Sequence, residues 1–510
     1  MKGESYGWAT LNSTTAIPKK QVNMNIMNQI LMAFAPCFTE PAHRSFICAV
    51  MGFILRSDNR GIASFIRALH LDPLAYHSLD YFFKSSSFSL AKVSECWYRM
   101  VFSIAPIHRY QDFILFTGDG VKTSKEGRRM AGVKKLHQES ENSSKGEFIN
   151  GHMFGGTSIL AGNRGKLFSI PLSLRLHDGI KAILPWSKES GGHLEEWRSQ
   201  SHVVQMVHQS FEAASFARKN AILLLDRYFP TVPAFQALEA LNAKAEGFKT
   251  HIVSKMKISA VAYEVPPGPT GKRGRPRLKG DRVKLREVFE LRKEDFTREK
   301  AYLYGAEEEA RILTMDLLWG QGHYRKYRFV LVEYKGMRSI FISTNSQLSG
   351  REILELYGYR FKIECTFREL KQVVDAFGYR FWNKSMPRLN RYKKKGDPDP
   401  LESVIDEAAQ KNILKTIRAI EMFVLCGCIA LGSLQICSLK YGNRLELWKK
   451  VVYLRSYTNG IASEATMAEY IRNQFYALMG HGSKLGILKK IRFKQSVEPL
   501  ASAEEMDKAA

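Results

Sequence analysis

Two short, wholly apolar runs, each leading to an aspartate, constrain this chain most. Residues 113–116 (FILF) lead through Thr117 and Gly118 to Asp119, and residues 221–225 (AILLL) lead directly to Asp226. A run of this length with no polar alternation reads as a buried strand. Around these two, the pattern predicts strands over 148–160, 167–176 and 251–258. It predicts helices over 193–218 and 232–245. Strands followed by alternating helix and strand point to a mixed α/β sheet.

The flanks read differently. Residues 25–105 and 401–480 are mainly helical in pattern, and the helical spacing at 61–71 and 90–102 would suit a helix-turn-helix DNA module. Residues 422–439 carry no charge, which reaches the lower length limit of a membrane helix. They include Gly427, Gly432, Ser433, Gln435 and Ser438, so a buried core helix is the better reading. Residues 265–345 break the rhythm of the sheet. Pro266, Pro267, Gly268 and Pro269 open a linker, and a basic stretch over 272–279 follows. Runs at 327–334 and 338–343 flank Lys335-Gly336-Met337 as a hairpin, and the block reads as an insertion.

Charge narrows the partner. The 510 residues hold 76 Lys and Arg against 50 Asp and Glu, a net charge of +26. That balance on a folded chain points to a polyanion, most simply nucleic acid. A hydrophobic fraction of 45% supports a sizeable core and excludes a disordered, collagen-like or small disulfide-stapled chain. The length suggests about three domains, or one with insertions. Seven scattered cysteines suit free thiols in a reducing compartment. Cys426 and Cys428 have no histidine nearby, which argues against zinc. The first ten residues lack the build of a signal peptide.

The chemistry concentrates in a helix expected over 349–372. Tyr357, Arg360, Glu364, Arg368 and Lys371 fall within about 80° of one another at about 100° per residue. Glu355 and Glu369 fall outside that arc. One glutamate among cations and a tyrosine suits a metal-binding carboxylate beside phosphate contacts. A solvated face laced with ion pairs has the same pattern. Asp119 and Asp226 taken singly are common turn formers. With Glu364 they make a minimal set of three carboxylates, able to hold two Mg²⁺ ions about 4 Å apart for phosphoryl transfer.

Tyr357-x2-Arg360-x3-Glu364-x6-Lys371 resembles the YREK signature of the insertion-sequence DDE transposases, the insertion-sequence-four family. The segments FTGDGVKTSKEGRRMAGVKKLHQ around Asp119 and LLLDRYF around Asp226 resemble that family's first and second aspartate segments. The 138 residues from Asp226 to Glu364 exceed a plain ribonuclease H-like core and resemble the family's insertion. The resemblance implies an α/β fold, a ribonuclease H-like catalytic core with a β-rich insertion, flanked by N- and C-terminal helical regions. The expected divisions are a DNA-binding region 1–105, the core's first part 106–258, the insertion 259–348, the core's catalytic helix 349–400 and a C-terminal helical region 401–510. It further implies that Asp119, Asp226 and Glu364 are the catalytic ligands of two Mg²⁺ ions, with Mn²⁺ as a substitute. Water would cut the transposon end and the freed 3′-OH would attack target DNA, in some members through a hairpin. Tyr357, Arg360, Arg368 and Lys371 would contact the DNA end. The implied partners are terminal inverted repeats, target DNA and a second copy of the chain, with no membrane, at the nucleoid in the bacterial cytoplasm.

Weaker signals accompany these. Lys122, Lys125, Arg128, Arg129, Lys134 and Lys135 follow Asp119 with only Glu126 opposing them, as phosphate contacts or as an ordinary basic loop. The RGRP at 273–276 resembles an AT-hook, with Arg275 and Arg277 as DNA contacts, and a solvated linker is the alternative. Trp319, in LLWGQGHYRKYR, is an aromatic for stacking on a flipped base or for ordinary packing. His137, His152 and His177 are expected to be structural. Two other functions stay open: a ribonuclease H-fold nuclease without strand transfer, and a domesticated or inactive DNA-binding derivative.

Overall fold

The computed structural model describes residues 22–58, 61–138, 146–189, 194–268, 277–390, 392, 396–442, 461–481 and 483–495. Arg275, with the RGRP motif at 273–276, lies outside the described residues.

Thirteen described strands join in one mixed sheet. They are β1 (Arg109–Tyr110), β2 (Phe113–Ser124), β3 (Lys134–His137), β4 (Phe148–Asn163), β5 (Lys166–Leu176), β6 (Ala221–Leu225), β7 (Thr250–Met256), β8 (Val261–Tyr263), β9 (Arg282–Lys284), β10 (Thr297–Leu303), β11 (Ala306–Trp319), β12 (Arg325–Tyr334) and β13 (Met337–Ser343). β2 pairs antiparallel with β4, which pairs antiparallel with β5. On its other side β2 runs parallel to β6, and β6 parallel to β7. The order β5-β4-β2-β6-β7, with its first three strands antiparallel and its last two parallel to β2, is a ribonuclease H-like core.

The apolar runs are explained by burial on both faces. Leu115, Ile222, Leu224 and Val253 enter one hydrophobic cluster, while Phe116, Leu223, Leu225 and Ile252 enter another. Helix Gly350–Gly358 covers the first face through Ile353 and Leu356. Helix His202–Ala217 covers the second through Met206 and Val207. A strand covered on both sides has no face to leave polar, so successive residues are all apolar.

Residues 297–343 extend this sheet. β13 pairs antiparallel with β7, β12 with β13, and β11 with β12 and β10. The turn between β12 and β13 is made by Lys335 and Gly336, with φ of 46° and 75°, the left-handed pair that a two-residue hairpin needs. Ile312 of β11 and Val330 of β12 share the cluster of Ile353 and Leu356. One helix therefore packs on β2, β6, β11 and β12 together. It starts in a capping box, with Ser349 and Glu352 each accepting the other's backbone N–H.

Two sequence expectations need correction. The helix expected over 349–372 is not continuous: a 3₁₀ turn, Tyr359–Phe361, separates Gly350–Gly358 from Lys362–Gln372. The helix expected from 193 starts at His202, after a 3₁₀ turn at Glu196–Ser199.

Described helices from the N-terminal and C-terminal parts of the chain pack around helix Glu407–Tyr441. Its most apolar window is 94% buried within the protein, so the uncharged run lies in a core helix. Helices Val22–Met32, Glu40–Leu55, Ala63–Leu69, Ala75–Lys84 and Leu90–Ile104 share its cluster with Glu464–Gly480 and Gly486–Arg492. Gly432 admits the ring of Trp97, which would stand 2.4 Å from a Cβ there. All seven cysteines are free, and five are buried.

Arg56 ties this helical body to the segment after helix Lys362–Gln372. It follows helix Glu40–Leu55, and its guanidinium donates to Ser64 Oγ (3.0 Å), Val374 O (2.5 Å) and Asp375 O (2.9 Å). It also pairs with the Asp375 carboxylate at 3.6 Å, and its own side chain is wholly buried. Burial pulls the guanidinium down to about 10 against the pull of Asp375. Substituting Arg56→Met would remove the buried donor to the Val374 and Asp375 carbonyls and the cation at the Asp375 carboxylate. The expected cost is about 3 kcal/mol, read as a lower urea midpoint. A midpoint equal to wild type would show that the tie contributes nothing.

Candidate active site

Three separate elements deliver three carboxylates to one guanidinium. The β2–β6 pairing ends at Gly118 and Leu225, so Asp119 and Asp226 stand where the two parallel strands part. Glu364 lies in the first turn of helix Lys362–Gln372. Arg360, in the 3₁₀ turn before that helix, reaches all three. Its Nη2 is 2.7 Å from Asp119 Oδ2 and 3.9 Å from Asp226 Oδ2, and its Nη1 is 2.7 Å from Glu364 Oε1. Tyr357 donates its hydroxyl to Asp226 Oδ1 at 3.3 Å, and the Gly120 N–H donates to Asp119 Oδ1 at 2.7 Å.

The charges do not balance. Three carboxylates face one guanidinium, and burial works against the charge of Asp119 and Glu364. Burial pushes the Asp119 carboxyl up, Arg360 opposes this, and Asp226 adds to it. Burial also raises Glu364, with Arg360 lowering it and Asp119 and Asp226 raising it. Burial works to lower Arg360, yet Asp119 and Asp226 hold it above its ordinary value. Burial and the Asp226 charge together raise the Tyr357 phenol.

Such a set of hard oxygen donors with excess negative charge fits a hard divalent cation. Arg360 stands between the carboxylates, and its own buried Nε has no partner. Among the described residues, no three His, Cys, Asp or Glu side chains close up as a cation cage. The guanidinium occupies the centre instead.

Other expected residues lie elsewhere. Arg368 is eight residues beyond Arg360, about 12 Å along the helix axis, and pairs with Glu369 at 2.6 Å. Lys371 is nearly a turn further and exposed. Glu355 is buried and accepts the Tyr302 N–H at 3.0 Å. Trp319 packs against Phe235 and Tyr327, at ring separations of 5.2 and 6.3 Å. Lys122 donates to His137 O at 2.7 Å, and Arg129 donates to Lys384 O at 2.7 Å. Arg128 and Arg277 are exposed. Lys125 is largely enclosed, with Nζ 2.5 Å from Phe377 O and 3.5 Å from the Tyr379 ring centre, and burial lowers it to about 7. His152 lies between Tyr379 Oη (2.6 Å) and Ala131 O (2.8 Å), a satisfied buried imidazole.

A buried chain behind the Asp119 strand had no clear signal in the sequence. Gln209 Nε2 donates to Gly155 O (3.0 Å) and Ser173 O (3.1 Å), which leaves its Oε1 to accept from His177 Nε2 at 2.8 Å. His177 Nδ1 must then accept from His202 Nδ1, also at 2.8 Å. His202 Nε2 keeps its lone pair beside Gly120, where a Cβ would stand 3.0 Å away. Burial lowers His202 to about 4 and His177 further, so both are neutral and the chain is a fixed support for β2 and β4. Only the seven-residue spacing of His202 and Gln209 on one helix hints at it.

Substituting Arg360→Gln removes the charge that lowers both Asp119 and Glu364, so both move further up. A carboxyl whose folded value exceeds its unfolded value costs stability once it ionises, so the penalty grows as pH rises past the ordinary carboxylate range. The variant should lie closest to wild type near pH 4. It should trail by about 1–2 kcal/mol at pH 8, allowing for the partial exposure of Glu364. Urea midpoints measured across that range test this, and a deficit independent of pH would rule out charge as its cause.

A family model described as DDE superfamily endonuclease matches residues 33–309. The match covers more than half of the chain and includes Asp119 and Asp226, while Glu364 lies beyond it. No curated protein matches the chain. The match points to a nuclease-type enzyme acting on DNA, and on it the chain belongs to the DDE superfamily of endonucleases.

Proposed function

We propose that this endonuclease is a transposase of the YREK-signature, insertion-sequence-four kind, which cuts DNA at the ends of its element and joins those ends to target DNA. The observation that carries the reading is the single guanidinium gathering carboxylates from β2, the end of β6 and the following helix. Tyr357, Arg360 and Glu364 do so in the spacing of that signature.

In this reading Asp119, Asp226 and Glu364 are the catalytic residues and hold two Mg²⁺ ions, for which Mn²⁺ substitutes. Those ions, when bound, would activate the attacking oxygen and stabilise the leaving oxygen of an in-line displacement. Arg360 keeps the carboxylates gathered, and its planar fork suits a phosphate as well as a carboxylate. Tyr357 orients Asp226 through its hydroxyl. In the first step water adds to the phosphorus at the element end and the bond to the 3′-oxygen breaks, leaving a 3′-OH. In the second, that 3′-OH adds to a target phosphodiester and displaces its 3′-oxygen. Arg368 and Lys371, one to three turns along the same helix, would follow the DNA away from the cut. Residues 1–105 and the insertion 259–348 would bind the terminal inverted repeats and target DNA. The working form would be a DNA-bridged homodimer at the bacterial nucleoid.

The test is cleavage of a labelled duplex carrying the inverted repeat that flanks the gene. Wild type with Mg²⁺ should nick at the element end and, given a target plasmid, yield joined product. Glu364→Ala should cut at least about a hundredfold more slowly, since losing a cation ligand forfeits several kcal/mol of transition-state stabilisation. Its DNA affinity should stay within a few-fold. Cutting without joining would leave a nuclease, and equal cutting by the variant would remove Glu364 from the site.

A further inference from the structure

Two basic segments far apart in sequence lie against each other beyond the far end of β2. Residues 125–135 follow that strand, and residues 377–390 follow helix Lys362–Gln372. The second segment is strapped to the first. The Asn383 N–H donates to Arg129 O at 3.0 Å, and the Leu389 N–H donates to Arg128 O at 2.8 Å. Arg129 itself donates to Lys384 O, and Lys125 to Phe377 O.

The strap is anchored from below and charged above. Phe381 and Met386 are buried, while Arg380, Lys384 and Arg388 are exposed, as is Arg128 on the first segment. Two nearby acids are already engaged, Asp375 by Arg56 and Asp399 by Lys134. Glu126 is the one acid within the first segment's stretch 125–135. Trp382, 60% exposed, stands between Arg380 and Lys384 in sequence. An exposed indole among cations is costly in water and suited to nucleic acid, where cations meet phosphates and the flat ring meets a sugar or base edge.

We propose that this ridge is a second contact with duplex DNA, which runs along β2 from the carboxylates to the strap. The proposal rests on the reading that those carboxylates cut DNA. A strand rises about 3.3 Å per residue, so the six residues from Asp119 to Lys125 cover about 20 Å. Lys125 touches Tyr379, and Trp382 is three residues further, which puts it roughly 20–30 Å from the carboxylates. Duplex DNA advances about 3.4 Å per base pair, so the ridge meets it about six to nine base pairs to one side of the cut.

The test replaces Trp382 by the photocrosslinker p-benzoylphenylalanine and irradiates the protein on the labelled end duplex used for cleavage. Adducts about six to nine base pairs from the nick are expected. In parallel, Arg380→Gln, Lys384→Gln and Arg388→Gln are combined. At about 0.9 per lost phosphate contact, the slope of log affinity against log salt should fall by about 2–3, and affinity should drop about tenfold or more. The melting temperature and the nick position should stay those of wild type. Adducts confined to the two base pairs at the nick, or a wild-type salt slope in the triple variant, would overturn the ridge if the protein still cuts. A wild-type protein that binds duplex but never cuts would overturn the catalytic reading and, with it, the distance assigned here.

Discussion

The guanidinium of Arg360 is the contact on which the site depends. It neutralises carboxylates that arrive from the middle of β2, from the end of β6 and from a helix, and the bond to Asp119 spans 241 residues of sequence. Without a cation at that point, three partly buried acids would repel one another. The Arg360 contacts hold them in a constellation that still carries excess negative charge. In the proposed reading, a site of this kind is gathered in advance for the cations it would take.

Everything around the guanidinium serves to hold its three suppliers in register. β2 and β6 are apolar on both faces because helices cover both, and their aspartates come where the pairing of the two strands ends. Helix Gly350–Gly358 packs on β2 and β6 and also on β11 and β12, so those later strands help to fix where Tyr357 and Arg360 stand. The neutral Gln209–His177–His202 chain supports the opposite side of the same strands. At the other end of helix Lys362–Gln372, Arg56 clamps Val374 and Asp375 to the helical body. The position of Glu364 thus depends on both halves of the protein.

The same economy shapes the surface. Cations that follow Asp119 in sequence are not all available to a ligand: Lys122, Lys125 and Arg129 are hydrogen-bonded to carbonyls. Two of those bonds dock residues 377–390 onto the segment, whose Arg380, Lys384 and Arg388 are exposed. Part of the basic character is spent on structure, and the exposed remainder comes from a segment some 250 residues away.

Local periodicity made much of the fold legible in the sequence. The apolar runs at 113–116 and 221–225, the hairpin around Lys335 and Gly336, the uncharged core helix over 422–439 and the strand-end aspartates all depend on neighbours within a few residues. The spacing of Tyr357, Arg360 and Glu364 survives the 3₁₀ turn between them, because residues three and four apart share a face in either helix type. Arg368 and Lys371 share the angular arc yet lie too far along the axis, a distance that an angular reading ignores. The convergence of Asp119, Asp226 and Glu364 on Arg360, the joining of the insertion to β7, the packing of Trp319 and the clamp of Arg56 were settled only by tertiary structure. Each joins residues far apart in sequence. Such contacts follow from strand register and core packing, and no local spacing encodes them.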